Sequence, residues 1–198
     1  MSKFRLTHAL LVACAVASAS SMALAAQQGE ITIAQTVDNM RVFCQYRMAA
    51  IFPGEPKTED IMYTNGDRTV PARVFYVEEG MSRYSITVAD FSKGGPAIDD
   101  TIVENAAIAL RKTGEVRIQF PEDYTPGIPG RQLNILAADG RHHRASVYMA
   151  DHHLIITETL SDPNDFRAIQ FEQSVLMLAA DGRDLNNVAN RTRYRCER

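Results

Sequence analysis

The segment VPARVFYVEEGMSRYSITV, residues 70–88, carries the clearest structural signal in this chain. In its first half apolar side chains occupy every second position, and Arg73 lies on the opposite side of the run. In its second half apolar side chains alternate with Ser85 and Thr87, after a turn at Gly80. A period of two residues is typical of strands in a half-buried antiparallel sheet, so we expect two such strands here.

The segments before this pair are also extended. A strand is predicted from residue 41 to 52, and the two prolines and one glycine of residues 53–56 end it. A short strand over residues 59–63 leads into Asn65-Gly66, a dipeptide that favours a type I′ hairpin turn because both of its positions tolerate positive φ.

Strand patterns return in the second half of the chain, joined by turns at residues 139–140 and 150–151. The predicted strands cover residues 116–120, 131–137, 141–148 and 152–159. A short sequence also recurs: ILAADGR at 135–141 and MLAADGR at 177–183. Because the flanking residues do not match, we treat this as a coincidence and not as a structural repeat.

Two amphipathic segments predict helices. The first covers residues 101–112, where Thr101 and Glu104 have the spacing of a capping box. The second covers residues 163–178, with Asp162 as its N-cap. The fold class we expect is therefore α+β: a central antiparallel sheet of about six to seven strands with helices packed on its faces.

The first 25 residues have the pattern of a signal peptide. Lys3 and Arg5 give a basic start, an apolar run covers residues 10–16, and small residues end in Ala23-Leu24-Ala25. We expect cleavage near Ala25, a single domain over residues 26–198 with a polar C-terminal tail, and a periplasmic or secreted location. The apolar run is shorter than the ~20 residues that a membrane-spanning helix needs, so we expect no transmembrane segment.

A second interpretation of the leader is a lipoprotein signal. Residues 11–14, Leu-Val-Ala-Cys, match a lipobox, which would make Cys14 a lipidated N-terminus. Against this, the apolar and small residues continue beyond Cys14, where a lipoprotein usually has a polar tether. We therefore favour release after Ala25, with lipid anchoring as the alternative.

The charge of the chain argues against nucleic acid as a general partner. Its formal net charge is −3, and the predicted leader contributes only basic residues to that total. Binding to phosphate backbones needs a positive surface. Arginines at positions 191, 193, 195 and 198 do concentrate near the C-terminus, where they form either a solvated tail or a small patch for an anionic surface.

Removal of the leader leaves two cysteines, Cys44 and Cys196. Two cysteines in an oxidising compartment favour one disulfide, which would close a loop of about 150 residues and contribute roughly 4–5 kcal/mol. The alternative is two unpaired thiols. A catalytic thiol is disfavoured because the chain contains no Cys-x-x-Cys motif.

Four segments together resemble the PsbP-like superfamily, including its exported bacterial members. They are Phe52–Lys57, Tyr84–Phe91, Gly130–Leu133 and Phe171–Val175, and the similarity covers roughly residues 50–180. The resemblance implies an antiparallel sheet with helices on both sides. It also implies a non-catalytic binding or assembly factor, and it transfers no functional residue to this chain.

Motifs for catalysis, metals or cofactors are lacking. The sequence has no Gly-x-Ser-x-Gly elbow, no Ser-x-x-Lys and no phosphate-binding glycine loop. The histidine pairs at 142–143 and 152–153 suggest a metal site, but strand geometry would place His143 about 20 Å from the turn at 150–151. We therefore expect no metal site, no catalytic residues and no cofactor.

The loop at residues 121–130, PEDYTPGIPG, is the best candidate for a recognition surface. Its prolines stiffen it, and we expect Tyr124 and Ile128 to be its exposed apolar groups. The alternative is a connection that wraps on the core.

These observations favour a binding or assembly module of the cell envelope, without catalysis, whose partner is an envelope protein or a small molecule. The alternative is an envelope enzyme of hydrolase type, with a site assembled from residues distant in sequence. Such an enzyme would have a deep pocket that gathers titratable groups with perturbed pKa values.

Overall fold

The computed structural model describes residues 40–93, 99–187, 189 and 192–194. The strands are β1 (Met40–Phe43), β2 (Met48–Ile51), β3 (Lys57–Asn65), β4 (Arg68–Glu79), β5 (Ser82–Asp90), β6 (Gly114–Pro121), β7 (Gly130–Ala137), β8 (His142–Ala150), β9 (His153–Ser161) and β10 (Leu176–Met177). The helices are α1 (Asp99–Arg111) and α2 (Phe166–Gln173).

Seven of the strands form one antiparallel sheet in the order β3-β4-β5-β9-β8-β7-β6, and the other three form a small sheet, β1-β2-β10. Helix α1 packs on one face of the large sheet, which we call the α1 face. Helix α2 and the small sheet pack on the opposite face, the α2 face. The α+β class and the predicted strand number are thus confirmed.

Because both faces are covered, the central strands are buried on both sides. In β5 seven of nine residues are buried, including Ser85 and Thr87 of the polar positions. The expectation of a half-buried sheet is therefore wrong for these strands. The polar residues that alternate with apolar ones in this sequence are enclosed by the fold and do not form a face exposed to solvent.

The strand expected over residues 41–52 is interrupted. A single 3-10 turn, Cys44–Tyr46, separates β1 from β2, and Arg47 takes a left-handed conformation with φ 48°. The two strands then pair with each other as a tight hairpin, with Phe43 opposite Met48. The chain therefore reverses direction where the apolar pattern alone suggested a continuous strand.

Two of the predicted hairpins, β3–β4 and β8–β9, form with their turns one residue later than expected. Between β3 and β4 the central residues are Gly66 and Asp67, and only Gly66 has positive φ, as in a type II′ turn and not type I′. Between β8 and β9 the central residues are Asp151 and His152, both with positive φ, as in a type I′ turn.

Helix α1 agrees with the prediction in position but not in its cap. It begins at Asp99, so Thr101 lies inside the first turn and does not cap it. Glu104 accepts hydrogen bonds from Arg111 and Arg131, at 2.7 and 3.2 Å, and does not close a capping box.

Helix α2 is much shorter than the predicted span of 163–178. Its N-cap is Asp165, whose side chain accepts from the backbone N–H of Arg167, and not Asp162. The helix ends at Gln173, because Leu176 and Met177 pair with Ala49 and Met48 of β2. A distant strand therefore competes successfully with local helix formation.

Several predicted features lie outside the described residues. These are the leader at 1–25 with Cys14, the residue Cys196, and the tail arginines 191, 195 and 198. In the part of the chain that the structure does describe, no helix is long and apolar enough to cross a membrane.

Candidate functional site: a groove and a pocket on opposite faces of the sheet

An open groove of about 640 Å³ lies on the α2 face, between the Cys44–Tyr46 turn and strands β3, β4 and β5. We call it the outer groove. Its floor contains Val88 and Pro71, and Met62 stands beside Pro71 as its cross-strand partner. Met62 is 63% exposed, so the groove carries a large apolar side chain that the fold does not cover.

A charged pair, Arg73 and Asp60, lines the outer groove beside Met62 and Pro71. Arg73 donates two hydrogen bonds to the carboxylate of Asp60, at 2.6 and 3.0 Å, across the β3–β4 ladder. The hydrogen bond from Arg73 holds the pKa of Asp60 below its ordinary value. The pair therefore presents both an acceptor and a donor to solvent, next to an apolar surface.

The far end of the outer groove is formed by Asp90, His153 and Tyr46. The Tyr46 and His153 rings meet edge to face, with their centroids 5.6 Å apart. Hydrogen bonds from Ser92 lower the pKa of Asp90, so this carboxylate is ionised at neutral pH. An apolar centre thus lies between two acidic groups, each of which has a basic neighbour.

A second cavity, of about 340 Å³, lies on the α1 face beyond the C-terminal end of α1. We call it the inner pocket. Its polar walls come from strands β5, β8 and β9 and from the turn after α1. They are Arg83, Ser85, Thr87, Thr113, His143 and Glu158.

A chain of hydrogen bonds crosses the inner pocket from Glu158 through His143 to Thr113. Glu158 Oε1 lies 3.0 Å from His143 Nε2, and Thr113 Oγ1 lies 2.9 Å from His143 Nδ1. This order of carboxylate, imidazole and hydroxyl resembles a hydrolase triad. However, Thr113 donates its only hydroxyl proton to the carbonyl of Leu110, at 2.7 Å, so His143 is not placed to remove it.

Strongly perturbed groups lie elsewhere, beneath α2. Burial, with the hydrogen bond to Asp165, raises the pKa of Tyr84 to about 12. Burial also raises the pKa of Tyr148 to about 12. Near them Glu172, which is 6% exposed, accepts from Arg144 at 2.7 Å and from Ser146 at 2.8 Å. These bonds attach α2 to the sheet.

The predicted recognition loop is anchored by the residues expected to be exposed. The Tyr124 hydroxyl donates to Asp184, at 2.5 Å, and accepts from the backbone N–H of Met177, at 3.1 Å. Burial raises the pKa of Tyr124, as does the bond to Asp184. Both Tyr124 and Ile128 are half-buried against the core of the α2 face. They are less exposed than the sequence suggested, and a recognition role for this loop stays a prediction.

The disulfide also stays a prediction, because Cys196 lies outside the described residues. Cys44 is exposed in the turn between β1 and β2. Tyr194 packs against the small sheet, and its backbone N–H donates to the carbonyl of Gly182 at 2.9 Å. The chain near its C-terminus therefore lies against the same small sheet that carries Cys44.

One histidine of each pair lines a cavity, and the large sheet separates these two residues. His143 lines the inner pocket on the α1 face, whereas His153 lines the outer groove on the α2 face. Among the described residues no group of three or more His, Cys, Asp or Glu side chains could hold a metal ion.

Sequence reasoning missed the residues of both cavities. The signal for the outer groove was available, since Arg73 was placed on the side of β4 opposite to its apolar residues. Its partner Asp60 could not be assigned, because a register error of one residue would have moved it to the other face.

No protein-family model matches the chain, and no curated protein matches it. Among solved structures, cyanobacterial PsbP from Synechocystis sp. PCC 6803 is 13% identical, over 76% of this chain and 98% of that one, with a TM-score of 0.47. A protein of unknown function from Pseudomonas aeruginosa is 14% identical, over 58% of this chain and 88% of that one, with a TM-score of 0.32. Because both TM-scores are below 0.5, neither structure decides the family or the function of this chain.

Proposed function

We propose that this protein is exported to the cell envelope and acts there as a non-catalytic binding module, with the outer groove as its binding site. The partner is a segment of an envelope protein. Export is supported by the basic, apolar and small-residue pattern of the first 25 residues.

The observation that carries the binding role is the exposed Met62 in a groove that also contains Asp60, Arg73 and Asp90. Isolated exposed apolar residues are common, but Met62 adjoins Pro71 and shares a cavity of about 640 Å³ with the half-buried Tyr46. Because the groove is open along its length, it would leave much of a small molecule in water. A polypeptide that crosses it could bury an apolar side chain on Met62 and pair polar groups with Asp60 and Arg73.

The outer groove does not have the composition of a hydrolase site. Its described lining residues include no serine, threonine or cysteine that could act as a nucleophile. His153 contacts Tyr46 through its ring. These residues can form apolar contacts, ion pairs and hydrogen bonds, which are the interactions of a recognition surface.

The test is site-specific photo-crosslinking in intact cells that express the chain with its own leader. A photoreactive amino acid replaces Met62 in one variant and Ile118 in the matched control. Ile118 is 51% exposed on β6, at the opposite edge of the sheet. We expect one envelope protein to be crosslinked from position 62 and not from position 118.

Three results would contradict the proposal. Equal crosslinking from both positions would mean that the groove has no special role. Recovery of the bare chain from both, with the protein located in the envelope, would leave the groove without a protein partner. Retention of the uncleaved chain in the cytoplasm would separately refute export.

A further inference from the structure

The inner pocket contains two opposite charges that do not pair with each other. Arg83 and Glu158 both line it, and in the described part of the chain no ion pair joins them. Glu158 lies opposite Ser85 in the β5–β9 ladder, and Arg83 precedes Ser85 by two residues. The two charged residues are therefore diagonal neighbours on one face of the sheet, with their Cβ atoms about 7–8 Å apart.

Each of these charged groups uses only part of its hydrogen-bonding capacity among the described residues. Arg83 Nη1 donates to Glu78 at 2.9 Å, and its guanidinium carbon lies 4.2 Å from the centre of the Tyr76 ring, but its Nε and Nη2 atoms have no hydrogen-bond partner there. Glu158 Oε1 lies 3.0 Å from His143 Nε2, and Glu158 Oε2 has no partner there. One cavity therefore offers cationic donors and an anionic acceptor.

The two charges together restrict the kind of ligand that the pocket can take. A ligand with only a carboxylate would face Glu158 as a like charge, and one with only an ammonium group would face Arg83 in the same way. A ligand that carries both groups can pair with both residues. Apolar side chains complete part of the wall, those of Val74, Ala137 and Leu160.

We propose that the inner pocket binds a small zwitterion, a free α-amino acid with an apolar side chain. The free nitrogens of Arg83 donate to its carboxylate, since a guanidinium matches the geometry of that group. Glu158 Oε2 accepts from its ammonium group, and the apolar side chain of the ligand contacts Val74 and Leu160. A volume of about 340 Å³ is at the small end of the ~300–1,000 Å³ range for ligand pockets, which suits one such molecule.

The geometry separates this site from the outer groove. The inner pocket lies on the α1 face and the outer groove on the α2 face, with the large sheet between them. A protein partner in the groove and a small ligand in the pocket can therefore be bound at the same time, and each proposal can fail without the other.

The test is calorimetric titration of the purified protein with three probes that share one carbon skeleton. These are L-valine, isovalerate, which lacks the ammonium group, and isobutylamine, which lacks the carboxylate. We expect L-valine to bind, and each of the other two to bind at least tenfold more weakly. Because all three titrations use the wild-type protein, this comparison does not depend on the stability of any variant.

Two variants assign the ligand charges to the two residues. Glu158→Gln keeps the size of the side chain and should weaken L-valine binding at least fivefold without weakening isovalerate binding, because isovalerate has no ammonium group. Arg83→Gln should weaken the binding of L-valine and of isovalerate. The matched controls are Arg117→Gln and Glu115→Gln, which break an exposed ion pair of 2.9 Å on β6 that lines neither cavity. Both controls should leave the affinity for L-valine unchanged.

The proposal is overturned if L-valine does not bind the folded wild-type protein. It is also overturned if isovalerate or isobutylamine binds as tightly as L-valine, since the pocket would then recognise only one charge. Equal losses of L-valine affinity in the control variants and in the pocket variants would place the binding site elsewhere.

Discussion

Replacing Asp165 by alanine should destabilise the protein far more than the same change at Asp162. Asp165 is the N-cap of α2, and its carboxylate accepts from the backbone N–H of Arg167 at 3.0 Å. It also accepts from the hydroxyls of Tyr84 and Ser82. One side chain therefore caps the helix and satisfies two hydroxyls of strand β5.

The magnitude follows from these contacts. Loss of an N-cap costs ~0.5–2 kcal/mol. Tyr84 is fully buried, and leaving its hydroxyl without a partner costs ~1–3 kcal/mol more. We expect a loss of about 3 kcal/mol for Asp165→Ala. Asp162 is exposed, and among the described residues its side chain accepts only from Asn164, so Asp162→Ala should cost about 0.5 kcal/mol or less.

The assay is equilibrium unfolding in urea, followed by circular dichroism, for both variants and for Tyr84→Phe. The double variant Asp165→Ala/Tyr84→Phe should show a coupling energy of about 1–2 kcal/mol, because each single change removes the same hydrogen bond. Equal losses at Asp162 and Asp165 would refute the assignment of the cap. A coupling energy near zero would refute the role of Tyr84.

Three further outcomes are expected. The pKa of Tyr84 is raised from 10.0 to about 12 in the fold, so its neutral form contributes stability below pH 10 that is lost between pH 10 and 12. The loss of stability over that pH range should therefore be smaller in Tyr84→Phe than in the wild type. Thr157→Val removes a fully buried hydroxyl that has no partner among the described residues, and it should stabilise the protein by about 1 kcal/mol in a thermal melt. A decrease in stability of that size would mean that the hydroxyl has a partner. Non-reducing peptide mapping of exported protein should yield a peptide that links Cys44 to Cys196, and alkylation of both thiols without reduction would disprove the disulfide.

The free energy of unfolding at acid pH should also depend on Asp165. Burial tends to raise the pKa of this carboxyl, but hydrogen bonds from Tyr84 and Ser82 outweigh it and bring the pKa below 3.8. The stabilising contribution is present above pH 3.8 and is lost as the pH falls through the lower, folded value. Acid unfolding of Asp165→Ala should consequently show a smaller loss of stability below pH 4 than unfolding of the wild type.

Local features were predictable where the residues themselves supply the interaction. The two copies of AADGR form the same turn, at residues 137–141 and 179–183. In each copy the glycine has φ near 80°, its N–H donates to the first alanine carbonyl at 2.9 Å, and the arginine Nε donates to the aspartate at 2.7 Å. Glycine tolerates positive φ, and aspartate bonds to the backbone two residues on, so the turn needs no distant partner.

The strands of the large sheet were predictable for a related reason. Alternation over residues 70–88 allows only an extended chain to place its apolar side chains on one side, and the β4–β5 hairpin has that form. The alternation did not reveal that both faces would be covered. Ser85 and Thr87 became buried because strands β8 and β9 and the turn after α1 enclose them.

Tertiary structure alone decided the end of α2, the break after β1 and both cavities. The sequence at Leu176–Met177 is compatible with a helix, but pairing with β2 satisfies its backbone groups and buries Met177 in the core. The outer groove joins Tyr46, Asp60 and Asp90, which lie on different strands and a turn, and depends on register. Periodicity specifies which face a side chain occupies within one strand, whereas pairing between distant strands specifies which side chains meet.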